Sequence, residues 1–220
     1  MIRVVIFDFD GTLADTNGVK EACLQRTVAE LNGGAAALAA ARQKGGDRYQ
    51  IFAKVAQQLS VNADAQTVGA QARALVDAYS RCCANGIAAA PERSGAVRTL
   101  AALARRRLHL WVLSATPDQH LVGLLRRRGL ARWLNGSLGS SVTKEDGLRR
   151  IMAIERADRN SVLLVGDGPD DQYAARAVGV KFAAVVAENR ISARGRFAVR
   201  DLRPLVPLID SLNSGRRRSA

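Results

Sequence analysis

Residues 3–7 are a short run of β-branched and apolar side chains ending at Asp8, the pattern of a buried strand. From residue 17 the apolar positions recur at helical spacing, with Val19, Cys23, Val28 and Leu31 in the set, and Asn32-Gly33-Gly34 closes the segment. An Ala-rich stretch then runs to a break at Gly45-Gly46. Residues 49–59 are helical again, with Ile51, Phe52, Val55 and Leu59 on one side, and residues 67–83 continue as helix up to an expected stop at Asn85-Gly86. The pattern changes after Pro91. Helices over 96–106, 117–128, 144–156 and 170–178 alternate with strands over 108–113, 162–165 and 180–186. Such alternation predicts an α/β fold with a parallel sheet covered on both faces. The expected organisation is an α/β core of residues 1–16 and 89–220, with a small all-helical domain of residues 17–88 inserted after the first strand.

Composition narrows the picture less than it first promises. The 220 residues are 48% hydrophobic and 24% charged, enough to bury a core. No apolar run approaches the length of a bilayer span, so no membrane association is expected. The start of the chain lacks a basic segment and a long apolar stretch, so no secretory signal is expected and a cytoplasmic location is. The net charge is +13 and comes almost entirely from 28 Arg against 5 Lys. Guanidinium groups suit phosphate, which admits nucleic acid, anionic membranes and phosphorylated metabolites. The clusters Arg105-Arg106-Arg107 and Arg126-Arg127-Arg128 fall at helix C-termini, where the helix dipole favours cations. Aromatics are only 5% and no RNA-binding aromatic motif accompanies the arginines, so nucleic acid is not the expected partner. Neither the three cysteines nor the two histidines have metal-ligand spacing, and no disulfide framework is expected. The tail Arg216-Arg217-Arg218-Ser219-Ala220 is expected to fray.

The informative chemistry sits at the ends of the strands, where open α/β sheets bind ligands. The first strand runs into Asp8-Phe9-Asp10-Gly11-Thr12-Leu13, a later one into Ser114-Ala115-Thr116, and another into Gly166-Asp167-Gly168-Pro169-Asp170-Asp171. Carboxylates gathered on one edge repel one another unless a cation neutralises them, and oxygen donors of this kind select a hard cation, best matched by Mg²⁺. Lys144, at the start of a helix, would bring positive charge to the same edge. Asp170, between the acidic positions, reads as a turn or solvent-facing residue.

These segments, in this order, resemble the four motifs of the haloacid dehalogenase-like (HAD) hydrolases: Asp8-Phe9-Asp10-Gly11-Thr12-Leu13, Ser114, Lys144 and the Gly166 to Asp171 segment. The resemblance covers nearly the whole chain and implies a Rossmann-like core with a helical cap of the C1 type, as in the phosphoglycolate phosphatase and β-phosphoglucomutase branch. It implies that Asp8 is the nucleophile, forming an aspartyl-phosphate, and that Asp10 is the general acid and base. Mg²⁺ would be held by the Asp8 carboxylate, the Asp10 carbonyl and Asp167, with Asp171 supporting the metal's water shell and orienting Lys144. Ser114 would bind a phosphoryl oxygen, and Lys144 would offset charge on nucleophile and phosphate. An Asp at position 10 matches the phosphatase and mutase members, since departure of an alkoxide needs a proton and departure of a halide does not.

For substrate binding the expected residues are Lys44, Gly46 and Arg48 on the helical insert, with Thr116 on the core. The glycines at 45 and 46 permit close backbone approach, and Arg48 suits a second anionic group on the substrate. Three functions follow. The first is a Mg²⁺-dependent phosphatase of a small phosphorylated metabolite, such as a sugar phosphate. The second is a phosphomutase, and the third a non-catalytic or nucleic-acid-binding protein on the same fold.

Overall fold

The computed structural model describes residues 1–186 and 197–214. The chain divides into two compact units, Met1–Asp15 with Pro91–Ala220, and Thr16–Ala90.

The first unit is built on a six-stranded parallel sheet. Its strands are β1 (Val4–Phe7), β2 (His109–Leu113), β3 (Gly136–Leu138), β4 (Val162–Gly166), β5 (Lys181–Val185) and β6 (Ala198–Val199), in the order β3-β2-β1-β4-β5-β6. β1 lies inside, pairing Phe7 with Val112 on one side and with Val165 on the other. All four β1 side chains are buried, as expected of a strand covered on both faces. One core layer joins Val4 and Ile6 to Trp111, Leu113, Leu148, Ile151, Val162 and Leu164. Fully burying a side chain of this size contributes roughly 1.5–3 kcal/mol.

The second unit is the helical cap insert: α1 (Asn17–Val28), α2 (Gly34–Gln43), α3 (Arg48–Leu59) and α4 (Ala65–Ala89). Its own core gathers Cys23, Val28, Leu38, Phe52, Val55, Leu75 and Tyr79. Asp47 begins α3 as a capping box: its carboxylate accepts from the Gln50 N–H at 2.8 Å while Gln50 reaches back to the Asp47 N–H. Asp64 caps α4 through the Thr67 N–H at 2.7 Å.

The expected stop at Asn85-Gly86 does not occur, because α4 continues to Ala89. A Cβ at Gly86 would lie 2.4 Å from Cγ1 of Val19, so this glycine lets α1 and α4 approach closely rather than ending the helix. The cysteine expectation is also corrected. Cys23 and Cys82 form a disulfide joining α1 to α4, with Cα atoms 5.6 Å apart, while Cys83 is free and buried. The pair is 59 residues apart in sequence, and only the packing of α1 on α4 reveals it.

The α/β unit adds α5 (Ala96–Arg105), α6 (Asp118–Arg127), α7 (Lys144–Ile154), α8 (Pro169–Val178) and α9 (Leu205–Ser214). The edge strands β3 and β6 and the helix α9 had no counterpart in the sequence pattern. β3 and β6 span only three and two residues, too few to display a period of two. No helix among the described residues is long and apolar enough to cross a membrane. The tail at 216–220 lies outside the described residues.

Candidate active site

In a parallel sheet all strands end on one edge, and here that edge collects the carboxylates. Asp8 directly follows β1, and its N–H donates to the Val165 carbonyl at 2.8 Å, which fixes it beside the end of β4. The chain then folds back tightly. The Phe9 carbonyl accepts from the N–H groups of Leu13 and Ala14 at 2.9 and 3.0 Å, and the Gly11 N–H donates to the Ala14 carbonyl at 2.8 Å. This turn buries Asp10 two residues beyond Asp8. The Asp10 carboxylate accepts from the Thr116 hydroxyl at 3.0 Å, and Thr116 in turn donates its N–H to Ser114 Oγ at 3.1 Å. Ser114, buried at the end of β2, is tied to β3 through its N–H and the Leu138 carbonyl at 3.0 Å.

The last strand end supplies the rest. Asp167 follows β4, and Asp171 sits in the first turn of α8, fully buried, accepting from the Gly168 N–H at 3.1 Å. The glycines here are spatial requirements. A Cβ on Gly166 would lie 2.4 Å from the Asp171 carboxyl carbon. Oxygens of Asp8, Asp167 and Asp171 all lie within 4.8 Å of one another, an acidic cluster suited to a divalent cation.

One ammonium is embedded in this cluster. Thr143 caps α7, exchanging hydrogen bonds with Asp146, and so presents Lys144 at the first position of the helix. Lys144 Nζ donates to Asp171 Oδ1, and lies 2.9 Å from Asp170 and 3.5 Å from Asp8. Asp170 thus differs from its expected turn role: although its side chain is 62% exposed, it pairs with the lysine, because the α8 start turns both Asp170 and Asp171 toward α7.

Electrostatics follow from this packing. Burial, reinforced by repulsion from Asp171 and only partly offset by Lys144, holds the Asp8 carboxyl well above the usual range. Burial likewise pushes Asp171 up to about 6, against the pull of Lys144. Burial alone would lower the Lys144 ammonium, but Asp8, Asp171 and Asp170 outweigh it and raise its pKa, so it stays charged at neutral pH. For the half-exposed Asp170 partial desolvation is overcome by Lys144, and its pKa falls. A single lysine facing Asp8, Asp167, Asp170 and Asp171 leaves the cluster net negative. The surviving repulsion at Asp8 and Asp171 is what a bound cation would relieve, so the donor set fits a divalent ion.

Two positioning residues were missed in the sequence. Asp118, at the start of α6, accepts from the N–H groups of Gly139 and Ser141 at 2.8 and 3.2 Å and thereby fixes the loop leading to Lys144. Nothing local in the sequence marks that link. Thr143 was legible, since Thr143-Lys144-Glu145-Asp146 is a capping pattern before an apolar-periodic helix.

The α/β unit therefore brings together Asp8, Asp10, Ser114, Thr116, Lys144, Asp167 and Asp171. Lys44, Gly46 and Arg48 belong to the helical unit, the first two on the turn between α2 and α3 and Arg48 as the first residue of α3. Lys44 and Gly46 are exposed there, Lys54 Nζ donates to the Gly45 carbonyl at 2.6 Å, and the Arg48 guanidinium lies 5.0 Å from the Tyr49 ring centre.

Known proteins resemble this chain in sequence and in fold. The chain is 29% identical to a phosphoglycolate phosphatase of Rhodospirillum rubrum over 212 residues, covering 91% of this chain and 88% of that protein. It is 25% identical to phosphoglycolate phosphatase 1 of Pseudomonas aeruginosa over 189 residues, covering 83% and 69% respectively. Among solved structures, a magnesium-bound hydrolase of this type from Bacillus subtilis, YfnB, superposes with a TM-score of 0.69 at 16% identity, covering 95% of this chain and 99% of that one. The family model for haloacid dehalogenase-like hydrolases matches residues 5–185, and the chain belongs to that family.

Proposed function

We propose that the protein is a Mg²⁺-dependent phosphatase that hydrolyses a small phosphate monoester through an aspartyl-phosphate on Asp8. The observation that carries this reading is the pairing of two buried carboxylates on one turn: Asp8 within the acidic cluster, and Asp10 held by the Thr116 hydroxyl at 3.0 Å.

Asp8 attacks phosphorus and the ester oxygen leaves. Asp10 protonates that oxygen, then takes a proton from the water that attacks the aspartyl-phosphate. Thr116 holds the Asp10 carboxyl in place between these two steps. The Ser114 hydroxyl and the N–H groups of Phe9 and Ala115 bind phosphoryl oxygens, and the Lys144 ammonium offsets their charge as the nucleophile approaches. Asp8 and Asp167, with the Asp10 carbonyl, would hold Mg²⁺, and Asp171 would support its waters. The ion, when bound, neutralises repulsion between the carboxylate nucleophile and the phosphate.

We assign the helical insert the choice of substrate, with Lys44, Gly46 and Arg48 as binding residues. Two relatives named as phosphoglycolate phosphatases make a phosphorylated small carboxylic acid the first substrate class to test. The test is phosphate release in Mg²⁺ from a panel containing phosphoglycolate and hexose phosphates, the latter with and without a bisphosphate activator. Release that is abolished by Asp8→Asn supports the reading. Release that survives Asp8→Asn overturns the mechanism, and activity only with a bisphosphate activator points to a mutase instead.

A further inference from the structure

The edge of the sheet opposite the carboxylates has the reverse chemistry. Each of the first five strands is entered past a cation: Arg3 before β1, Arg107 before β2, Arg132 before β3, Arg156 and Arg159 before β4, and Lys181 as the first residue of β5. The arginines are all exposed. The Arg3 guanidinium donates to the Arg156 carbonyl at 3.1 Å, so at least these two are neighbours despite their like charge. The acids at this edge are few and engaged: Asp158, between Arg156 and Arg159, faces Arg3 and accepts from the Asn160 N–H at 2.8 Å. Glu155 lies 2.5 Å from His109 Nδ1 and accepts from the Trp111 indole at 2.6 Å, while Asp210 pairs with Arg106 at 3.2 Å. Arg107, Arg132, Arg156 and Arg159 make no ion pair among the described residues.

This edge also carries a shallow, open cavity of about 340 Å³, lined by Arg107, His109, Arg132, Trp133 and Asn135 together with aliphatic side chains. No carboxylate lines it. Its polar side chains offer donors. The Asn135 carbonyl oxygen is occupied by the Leu110 N–H at 2.8 Å, which leaves the amide NH₂ to donate. The Arg132 guanidinium is placed 5.0 Å from the Trp133 ring centre. Arg107 holds a left-handed backbone, φ +59°, a conformation that disfavours Arg. A shallow wall of donors whose arginines make no ion pair fits an anion with several oxygens.

We propose that this cavity is a second binding site, for a small, multiply charged phosphate anion, at the end of the sheet remote from Asp8. It requires none of the hydrolytic residues and stands whether or not the proposed reaction does.

The test uses the full chain with a metal chelator present, so that the carboxylate edge repels anions, and titrates sodium tripolyphosphate by calorimetry. Binding should saturate at one site per chain. The double variant Arg107→Asn, Arg132→Gln should weaken it by about tenfold or more, as expected for losing two charge-assisted contacts. Asn tolerates the left-handed backbone, which keeps that variant foldable. The control Arg149→Gln, Arg150→Gln removes the same charge from exposed positions on α7 and should change binding less than about twofold. Equal weakening by both pairs would reduce the effect to net charge and overturn the proposal, as would the absence of saturable binding. Parallel titrations with a single-stranded RNA oligonucleotide and with phosphatidylserine vesicles complete the test. Tripolyphosphate should displace either one, and a polymer or vesicle that binds without such competition would also overturn the small-anion site.

Discussion

Lys144 reaches from the first position of α7 to hydrogen-bond Asp171 in the first turn of α8, and the same ammonium lies 3.5 Å from Asp8. One side chain thus compensates carboxylates from two strand ends. Lys144→Met keeps the length of the stem and removes the charge. Leaving buried carboxylates without their partner costs roughly 3–5 kcal/mol, and losing a positioned charge at the phosphate costs about 10²–10³ in kcat. Thermal unfolding and phosphate release would check the two effects. A variant that loses stability but keeps full kcat would remove Lys144 from the reaction.

The acidic cluster makes stability depend on pH in a direction opposite to an ordinary surface carboxylate. Asp171 has its pKa raised from 3.8 to about 6, and Asp8 is raised as well. A carboxyl whose folded pKa lies above its unfolded value favours folding while protonated, and that contribution is lost as pH rises from about 4 through about 6. The chelated protein should therefore lose the Asp171 contribution on going from pH 5 to pH 7.5. Mg²⁺ should raise Tm at pH 7.5 and much less at pH 5, where protons occupy the same oxygens. Asp167→Asn should shrink the Mg²⁺ increment. A Tm increment independent of pH would contradict the proposed ligand set.

Much of the candidate site is legible in the sequence. A strand signal broken by Asp8 or Gly166-Asp167 places carboxylates at strand ends, and the parallel sheet puts those ends together. What the sequence hid are relations across distance. Cys23 and Cys82 meet only because α1 packs on α4. Asp118 reaches a loop 21 residues away. Asn85-Gly86 carries the composition of a helix stop but lies inside α4, since tertiary packing against Val19 overrides local propensity. Asp170 reads as a turn residue until α7 is set beside α8.

Gly166 ends β4 where a methyl group would collide with Asp171, its Cβ lying 2.4 Å from the carboxyl carbon. Gly166→Ala should displace Asp171, and through it Lys144, lowering kcat by at least about tenfold and weakening the Mg²⁺ effect on Tm. The neighbouring Gly168→Ala would meet Asp170 first, at 2.2 Å from its Oδ1, and that half-exposed side chain can swing aside. Gly166→Ala should therefore be the more damaging of the two, and the reverse order would argue against Asp171 as the sensitive partner.

The Cys23–Cys82 bond closes a long loop within the helical insert, with a sequence separation of 59. Chain-entropy arguments assign such a cross-link about 4 kcal/mol, acting on the unfolded state. Reductant, or Cys23→Ser, should lower the unfolding temperature of the insert, and mass spectrometry of the untreated protein should find Cys83 as the alkylatable thiol after denaturation. Alkylation of Cys23 and Cys82 as well in the unreduced protein would show that the bond does not form.

Arg128 follows α6 and supports the turn from Asp8 to Ala14 from behind. Its side chain is 7% exposed, its guanidinium lies 3.0 Å from Glu92, and its central carbon is 5.8 Å from the centre of the Phe9 ring, between Asp8 and Asp10. Glu92 in turn belongs to the segment that bridges Ala14, the last residue of the same turn, and the Arg93 N–H donates to the Leu13 carbonyl at 2.9 Å. Arg128 therefore holds the returning chain and the Asp8–Ala14 turn together, as a positioning residue in the proposed reaction. Arg128→Met removes the charge and keeps the stem, so Phe9 stays covered while the Glu92 pair is lost. Because the turn sets the relation of Asp8 to Asp10, kcat should fall about tenfold with KM little changed. Arg128→Lys should recover part of kcat by restoring the ion pair. A rise in KM alone, or no recovery with Lys, would show that Arg128 only packs.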